Sequence, residues 1–528
     1  MAFLDIFNSN LMGCMSLILV IIGVVVMVCW QPSLHMDPAE PPLLKPVIPY
    51  IGHAIGFLRY QTNYLSLLNK MHSMPVYTLP ILNKKIYVVA SPSLLQSVFR
   101  CKELSFEPFM LEFSQRLLGV SDKVMEPTRR KPENAKAPSF VQQVIKEIYT
   151  SLSGGSLVHM NLNTLNSFAS VLNSIHDTTL VEGLYVWLRS TLTLATTNSM
   201  FGAYNPMRLQ PHLIDFYWDF ENNLTPLLLN FMPSLLAPKA HRGRQEIKSA
   251  LSKYYISQYD MESDVAQITK QRAALLRKHG MSDHDIGEFE LGLLHGALAN
   301  TPPILFWLLV QILASAPLTA AIRNELLGII SSAPCEDGTR ETSIDITKFE
   351  SHCPLLVSAY RETLRLANSH IGVRRVMTDT WITDGNSTYL LKAGADVQMP
   401  AEITHLSTDT WGPTAKDFDP GRFLKPEFKA RKEGQDFRDQ KKAYHPFGGG
   451  KHLCPGRNIA FAPCLGIVAL LLLGFEVKNI DNELLKVPEI RSVKFGEAVA
   501  KPFGDGLELG ALIGRRKGWE DVIWIFAS

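Results

Sequence analysis

The hydrophobic pattern divides the chain before any chemistry is considered. From Leu11 to Trp30 there are twenty residues without a charge, rich in Leu, Ile and Val. That length spans a bilayer as a helix. Five prolines follow, Pro38, Pro41, Pro42, Pro46 and Pro49, and proline cannot continue a helix. Two runs rich in β-branched and aromatic residues come next, Pro75–Leu79 and Lys85–Ala90, around a turn-like Leu82-Asn83. They predict a small sheet. After Pro92 the pattern is mostly helical to about residue 370, and a mixed stretch runs from Val373 to Met399. Residues 283–314 read as one long apolar helix carrying Pro302 and Pro303. These prolines give no N–H to the carbonyls of Leu298 and Ala299, so the helix must be disturbed near Thr301. The expected fold is mainly α with small β-sheets, preceded by one transmembrane helix.

Composition refines this outline. The chain has 528 residues, yet no linker, charge block or repeat divides it. The division predicted is an anchor over 1–30, a proline-rich hinge over 31–50 and one large domain over 51–528. No basic residue precedes the apolar segment and no small-residue cleavage site follows it, which argues for an uncleaved anchor. A net charge of +2 gives no reason to expect nucleic acid. Seven cysteines without framework spacing argue for a reducing compartment. The sequons at Asn223 and Asn386 would then stay unused.

The chemistry concentrates in Phe447-Gly-Gly-Gly-Lys-His-Leu-Cys454-Pro-Gly-Arg457, followed by an apolar run from Ile459 to Phe475. Glycines let a backbone approach a flat ligand and take positive φ. A cysteine before a helix sees backbone N–H groups and the positive dipole end. Such a thiolate suits a haem iron. Two plainer readings stand beside this one. A lone cysteine is usually an inert buried side chain. Zinc held by His445, His452 and Cys454 is the other, though paired metal-ligand spacings are missing.

The pattern Phe447-x-x-Gly450-x-x-x-Cys454-x-Gly456, with His452 two before the cysteine, resembles the haem loop of the cytochrome P450 family. Tyr360-Arg-Glu362-Thr-Leu-Arg365, Trp411-Gly-Pro413 and Phe418-Asp-Pro-Gly-Arg422-Phe423 precede it in the family's order. Ala299-Asn300-Thr301-x-Pro303 is similar to the branch of steroid 7α- and 12α-hydroxylases and prostacyclin synthase, and the cysteine loop and the Gly518-Trp-Glu-Asp521 tail are similar to filamentous-fungal members.

The resemblance implies a P450 fold around haem b, with Cys454 as the axial ligand and Phe447, Gly450, His452 and Gly456 shaping its loop. It implies a structural triad of Glu362, Arg365 and Arg422. Thr301 and Asn300 would serve catalysis at the helix opening. Asn300 stands where most members carry an acid, which weakens a carboxylate relay there. No clear Trp-x-x-x-Arg precedes the mid-chain helices, so Arg374, Arg375 and His452 become the candidates for the haem propionates. Pro463 falls inside the helix after Cys454, and a kink is expected there.

The activity implied is a monooxygenase acting on a lipophilic terpenoid, steroid or other secondary metabolite. The alternatives are a haem-thiolate isomerase or dehydratase, which needs no external electrons, and a non-catalytic membrane-anchored lipid-binding protein. No flavin or iron–sulfur module is legible. The expected partner is therefore a separate NADPH-dependent reductase at the endoplasmic reticulum membrane, with the catalytic domain in the cytosol. Lys441, Lys442 and Lys451 are its candidate docking cations, or merely a solvated surface.

Overall fold

The computed structural model of the protein describes residues 36–46, 51–81, 84–130, 137–424 and 435–528. The expected anchor over 1–30 lies outside the described residues, as do Leu82 and Asn83. In chain order the elements begin with α1 (Gly52–Tyr60), β1 (Val76–Ile81), β2 (Lys84–Val89), α2 (Pro92–Arg100), β3 (Leu104–Ser105) and α3 (Glu107–Arg116). Next come α4 (Gly154–Asn173), β4 (Thr179–Val181), α5 (Leu184–Phe201), α6 (His212–Glu221), α7 (Leu224–Leu229) and α8 (Pro238–Ile256). The central part holds α9 (Asp283–Leu298), α10 (Thr301–Leu313), β5 (Ile330–Pro334), β6 (Arg340–Asp345) and α11 (Pro354–Ala367). The C-terminal part holds β7 (Ile371–Val376), β8 (Thr380–Thr383), β9 (Thr388–Leu391), β10 (Asp396–Pro400), α12 (Arg457–Gly474), β11 (Phe475–Asn479), β12 (Ala511–Arg515) and β13 (Val522–Ala527). Shorter helices fill several connections.

The first two apolar runs form the expected antiparallel pair, with Val76 opposite Val89. They belong to a five-stranded sheet in the order β1-β2-β10-β7-β3. The proline-rich segment is not free of this sheet. Leu44 N donates to Thr78 O at 2.9 Å and Thr78 N to Pro42 O at 2.8 Å, so residues 42–44 extend the edge of β1.

The long apolar stretch is two helices, as its prolines require. Ser282 caps α9 by accepting from Asp285 N at 3.3 Å. The helix ends at Leu298, and Asn300 (φ −108°) stands between it and α10. Pro302 and Pro303 occupy the first turn of α10, where a missing N–H costs nothing. From Pro302 to Val310 every residue is buried. α9–α10 and α12 are apolar and long enough to cross a membrane, but both lie mostly inside the molecule and serve as its core. α12 runs through Pro463 as a continuous helix.

The mostly helical reading up to residue 370 misses one hairpin. β5 and β6 pair antiparallel around a turn with Gly338 at φ +85°, and β13 adds to β6 in parallel. The free edge of β13 is closed by two side chains of α4. Asn173 exchanges hydrogen bonds with Trp524 N and O, and Asn166 with Phe526 N and O, at 2.8–3.4 Å. Two asparagines seven apart thus replace a neighbouring strand and protect an edge that would otherwise invite pairing. At the other end of the core, Glu325 accepts from Leu355 N and Leu356 N, at 2.9 and 3.2 Å. That satisfies the first free N–H groups of α11, the helix carrying Glu362 and Arg365.

Candidate active site

The cysteine loop is shaped by close contact with α2. Gly448 and Gly450 take φ of +71° and +64°. A Cβ on Gly450 would sit 2.0 Å from the Phe99 carbonyl oxygen, and one on Gly449 would sit 2.5 Å from the Phe99 ring. No other residue type fits either place without moving α2. Cys454 N closes the loop on Phe447 O at 3.0 Å, and Phe447 packs on the main core. Gly456 is the N-cap of α12, and a Cβ there would lie 3.8 Å from the Cys454 sulfur. Tyr149 donates its hydroxyl to Leu453 O.

Burial pushes the Cys454 thiol up in pKa. The N–H groups of Gly456 and Arg457 and the Arg457 charge pull it back only in part. The helix start therefore does not by itself secure a thiolate.

β7 presents two arginines, and they serve different purposes. Adjacent residues of a strand point to opposite faces. Arg374 turns to the cysteine loop, donating to Val373 O at 2.7 Å and Gly449 O at 3.4 Å. It is only 5% exposed and has no carboxylate partner among the described residues, and burial lowers its pKa to about 10. Arg375 turns the other way, to Asp396 at 2.5 Å and Glu112 at 3.2 Å. Two carboxylates already match the charge of this second propionate candidate. His452 accepts from Phe106 N at 3.4 Å through Nε2. Burial, Arg374 and Lys451 hold its pKa at about 4. The neutral ring therefore carries its proton on Nδ1 and can donate it.

Glu362 and Arg365 are both fully buried, so they are not a surface pair. Glu362 binds Arg365 through two bonds of 2.7 Å and Arg422 Nε at 2.9 Å. Arg365 also donates to the carbonyls of His405 (2.5 Å) and Ala415 (2.6 Å). Arg422 reaches those of Trp411 (3.2 Å) and Thr414 (2.9 Å). A planar five-donor group suits this fan of acceptors.

The triad reaches the cysteine loop through His445 and through His405, Thr404 and Asn368, which the sequence did not flag. His445 N donates to His405 Nε2 at 3.1 Å, and His445 Nε2 meets Thr404 Oγ1 at 2.9 Å. Asn368 Nδ2 donates to Pro446 O at 2.7 Å. His445 is thus committed to structure. No group of His, Cys, Asp and Glu able to hold a metal exists among the described residues. The zinc reading falls with it.

The helix break is held against α12, the helix that follows the loop. The Cys464 sulfur, in the middle of α12, contacts Thr301 O at 3.9 Å, which ties α12 to the start of α10. Leu293, Gly296, Ala297, Asn300 and Thr301 form an incompletely buried stripe beside the buried Leu294, His295, Leu298, Ala299 and Pro302. A Cβ on Gly296 would meet nothing within 4 Å. Among the described residues neither the Thr301 hydroxyl nor the Asn300 amide has a hydrogen-bond partner.

A glycine-lined cysteine loop, a buried arginine beside it without a carboxylate partner among the described residues, and an opened helix suit a haem-thiolate enzyme. A family model described as Cytochrome P450 matches residues 207–496. A cytochrome P450 monooxygenase of Gibberella zeae is 32% identical over 93% of this chain and 92% of its own. Cytochrome P450 7B1 of Mus musculus is 26% identical over 84% of this chain and 86% of its own. The solved structure of retinoic acid-bound cyanobacterial CYP120A1 shares the fold, with a TM-score of 0.66 at 16% identity, covering 91% of this chain and 100% of that one. The protein belongs to the cytochrome P450 family of monooxygenases.

Proposed function

We propose that the protein inserts one oxygen atom of O2 into a C–H bond of a lipophilic substrate, a terpenoid, steroid or related secondary metabolite. Electrons come from NADPH through a separate reductase, and the membrane of the endoplasmic reticulum is the setting. The residues present fit haem. Cys454 would hold the iron through its sulfur, and Arg374 and the Nδ1–H of His452 would hold propionate groups. Haem held this way supplies oxygen activation.

The observation that carries the reading is the helix break at Asn300-Thr301. Two uncommitted polar groups stand at one point of an apolar stripe. Thr301 Oγ can accept a proton-bearing water and donate in turn. Asn300 holds that water by its amide but cannot itself supply a proton, so Thr301 carries the larger share of the relay. Leu293, Gly296 and Ala297 leave the rest of the stripe apolar, which excludes water and favours a hydrocarbon skeleton.

The test is reductase-supported turnover under isotope-labelled O2. Label should enter the product. Thr301→Ala should lower product while NADPH consumption continues and peroxide rises, and Asn300→Ala should do so more mildly. Turnover without reductase and without label would replace this reading by an isomerase.

A further inference from the structure

Away from the cysteine loop, the segment from Arg491 to Asp505 carries a concentration of charge against the ends of α5 and α6. Its carboxylates are all matched. Arg189 binds Asp505 at 2.9 Å, Arg491 Nη2 binds Glu497 at 2.8 Å, and Lys501 binds Glu221 in close contact. Lys494 is left over. Among the described residues its ammonium donates only to Asn222 O, at 3.2 Å, while Glu497 Oε2 accepts from the Lys494 backbone instead. Beside it, Nη1 of Arg491 is buried with no hydrogen-bond partner. Burial, with Arg491 and Lys501 nearby, lowers the Lys494 pKa. The half-buried ammonium thus has one backbone acceptor and no carboxylate in salt-bridge contact, and the guanidinium N–H near it has no acceptor among the described residues; a buried unmatched donor is costly.

The location bears on the active site. Phe495 packs on Phe57 of α1 at 5.6 Å between ring centres, and its N–H donates to Gln61 Oε1 at 3.3 Å. Val499 bridges Asn368, which in turn holds Pro446 of the cysteine loop. Val499 is five residue steps from Lys494, at most about 16 Å of extended chain. Phe57, Phe495 and Ile371 pack in one apolar cluster along this span. Beyond Lys494, α7 and the turn after it expose Leu229, Phe231 and Met232.

We propose that Lys494, backed by Nη1 of Arg491, binds a carboxylate at the end of the substrate remote from the reacting carbon. The substrate class is then an acid on an apolar polycyclic skeleton, its charge held near α1 and α7 and its hydrocarbon directed to the helix break. This rests on the oxygenase reading above.

The test uses the full-length, haem-loaded protein in equilibrium dialysis. The probes are abietic acid and 5β-cholanic acid, each against its methyl ester. The acids should bind about tenfold or more tighter than the esters, as expected for a charge-assisted contact. Lys494→Gln should abolish that preference and leave the esters within about twofold of wild type, and Lys494→Arg should preserve it. Equal binding of acid and ester in the wild type, or no binding of either, overturns the proposal. So does a Lys494→Gln that weakens both alike. A second arm sediments the protein with phosphatidylserine and phosphatidylcholine vesicles. If Lys494→Gln lowers only the phosphatidylserine-bound fraction and spares acid binding, the site reads lipid headgroups and the proposal fails. A wild type that keeps the thiolate-type carbon monoxide spectrum without acid preference refutes this site alone. Loss of that spectrum refutes the oxygenase reading itself.

Discussion

Glu362→Gln is the perturbation that most severely loads the framework beneath the cysteine loop. It keeps the size of the side chain and removes the only carboxylate that Arg365 and Arg422 share. Arg365 is fully buried and Arg422 nearly so. Their other acceptors are backbone carbonyls and the Thr414 hydroxyl, which carry no countercharge. Stranding a buried charge costs about 3–5 kcal/mol. Against a typical stability of about 5–15 kcal/mol, that removes from about a fifth to all of the reserve. The folded-to-unfolded ratio then falls by a factor of about 10² to 10⁴. The assay is chemical denaturation followed by haem absorbance, with haem content of the purified protein alongside. Glu362→Gln should shift the midpoint strongly downward and yield little haem-loaded protein. A midpoint and haem content equal to wild type would refute the claim that this carboxylate neutralises two buried cations.

Two further predictions concern single groups. Arg374→Met should speed haem loss to an apohaem acceptor, while Arg375→Met should leave haem retention near wild type, because only Arg374 faces the loop. Stability should also fall as pH drops below about 6.5. Burial depresses His445 to about 3 and His370 to about 4, so the unfolded chain takes up protons first. Each of these imidazoles removes about 1.4 kcal/mol per pH unit between about 6.5 and its folded value. A denaturation midpoint flat from pH 7 to pH 5 would contradict this.

The sequence made the helix break legible because Pro302-Pro303 dictates it locally, wherever the helix lies. It also named Glu362, Arg365, Arg422 and the cysteine loop by order and spacing. It could not separate Arg374 from Arg375. That choice follows from strand register, which places Arg375 opposite Asp396 and leaves Arg374 opposite Val397. The hairpin over 330–345 carried a readable signal in Asp337-Gly338, but Ile330-Ser-Ser-Ala-Pro334 is too polar to read as a strand. Phe99 and Tyr149 touch the loop from more than 300 residues upstream, with no local pattern to mark them. The unmatched Lys494 is likewise visible only once Glu221, Glu497 and Asp505 are seen to be taken by other cations.

The central claim is that Cys454 supplies a thiolate to haem iron in a site built by Gly450, Arg374 and the Glu362 triad. The most direct test is the carbon monoxide difference spectrum of the reduced protein. Wild type and Cys464→Ala should both show the thiolate-type Soret band, and Cys454→Ala should not. The same band in Cys454→Ala, or its loss in Cys464→Ala alone, would contradict the account.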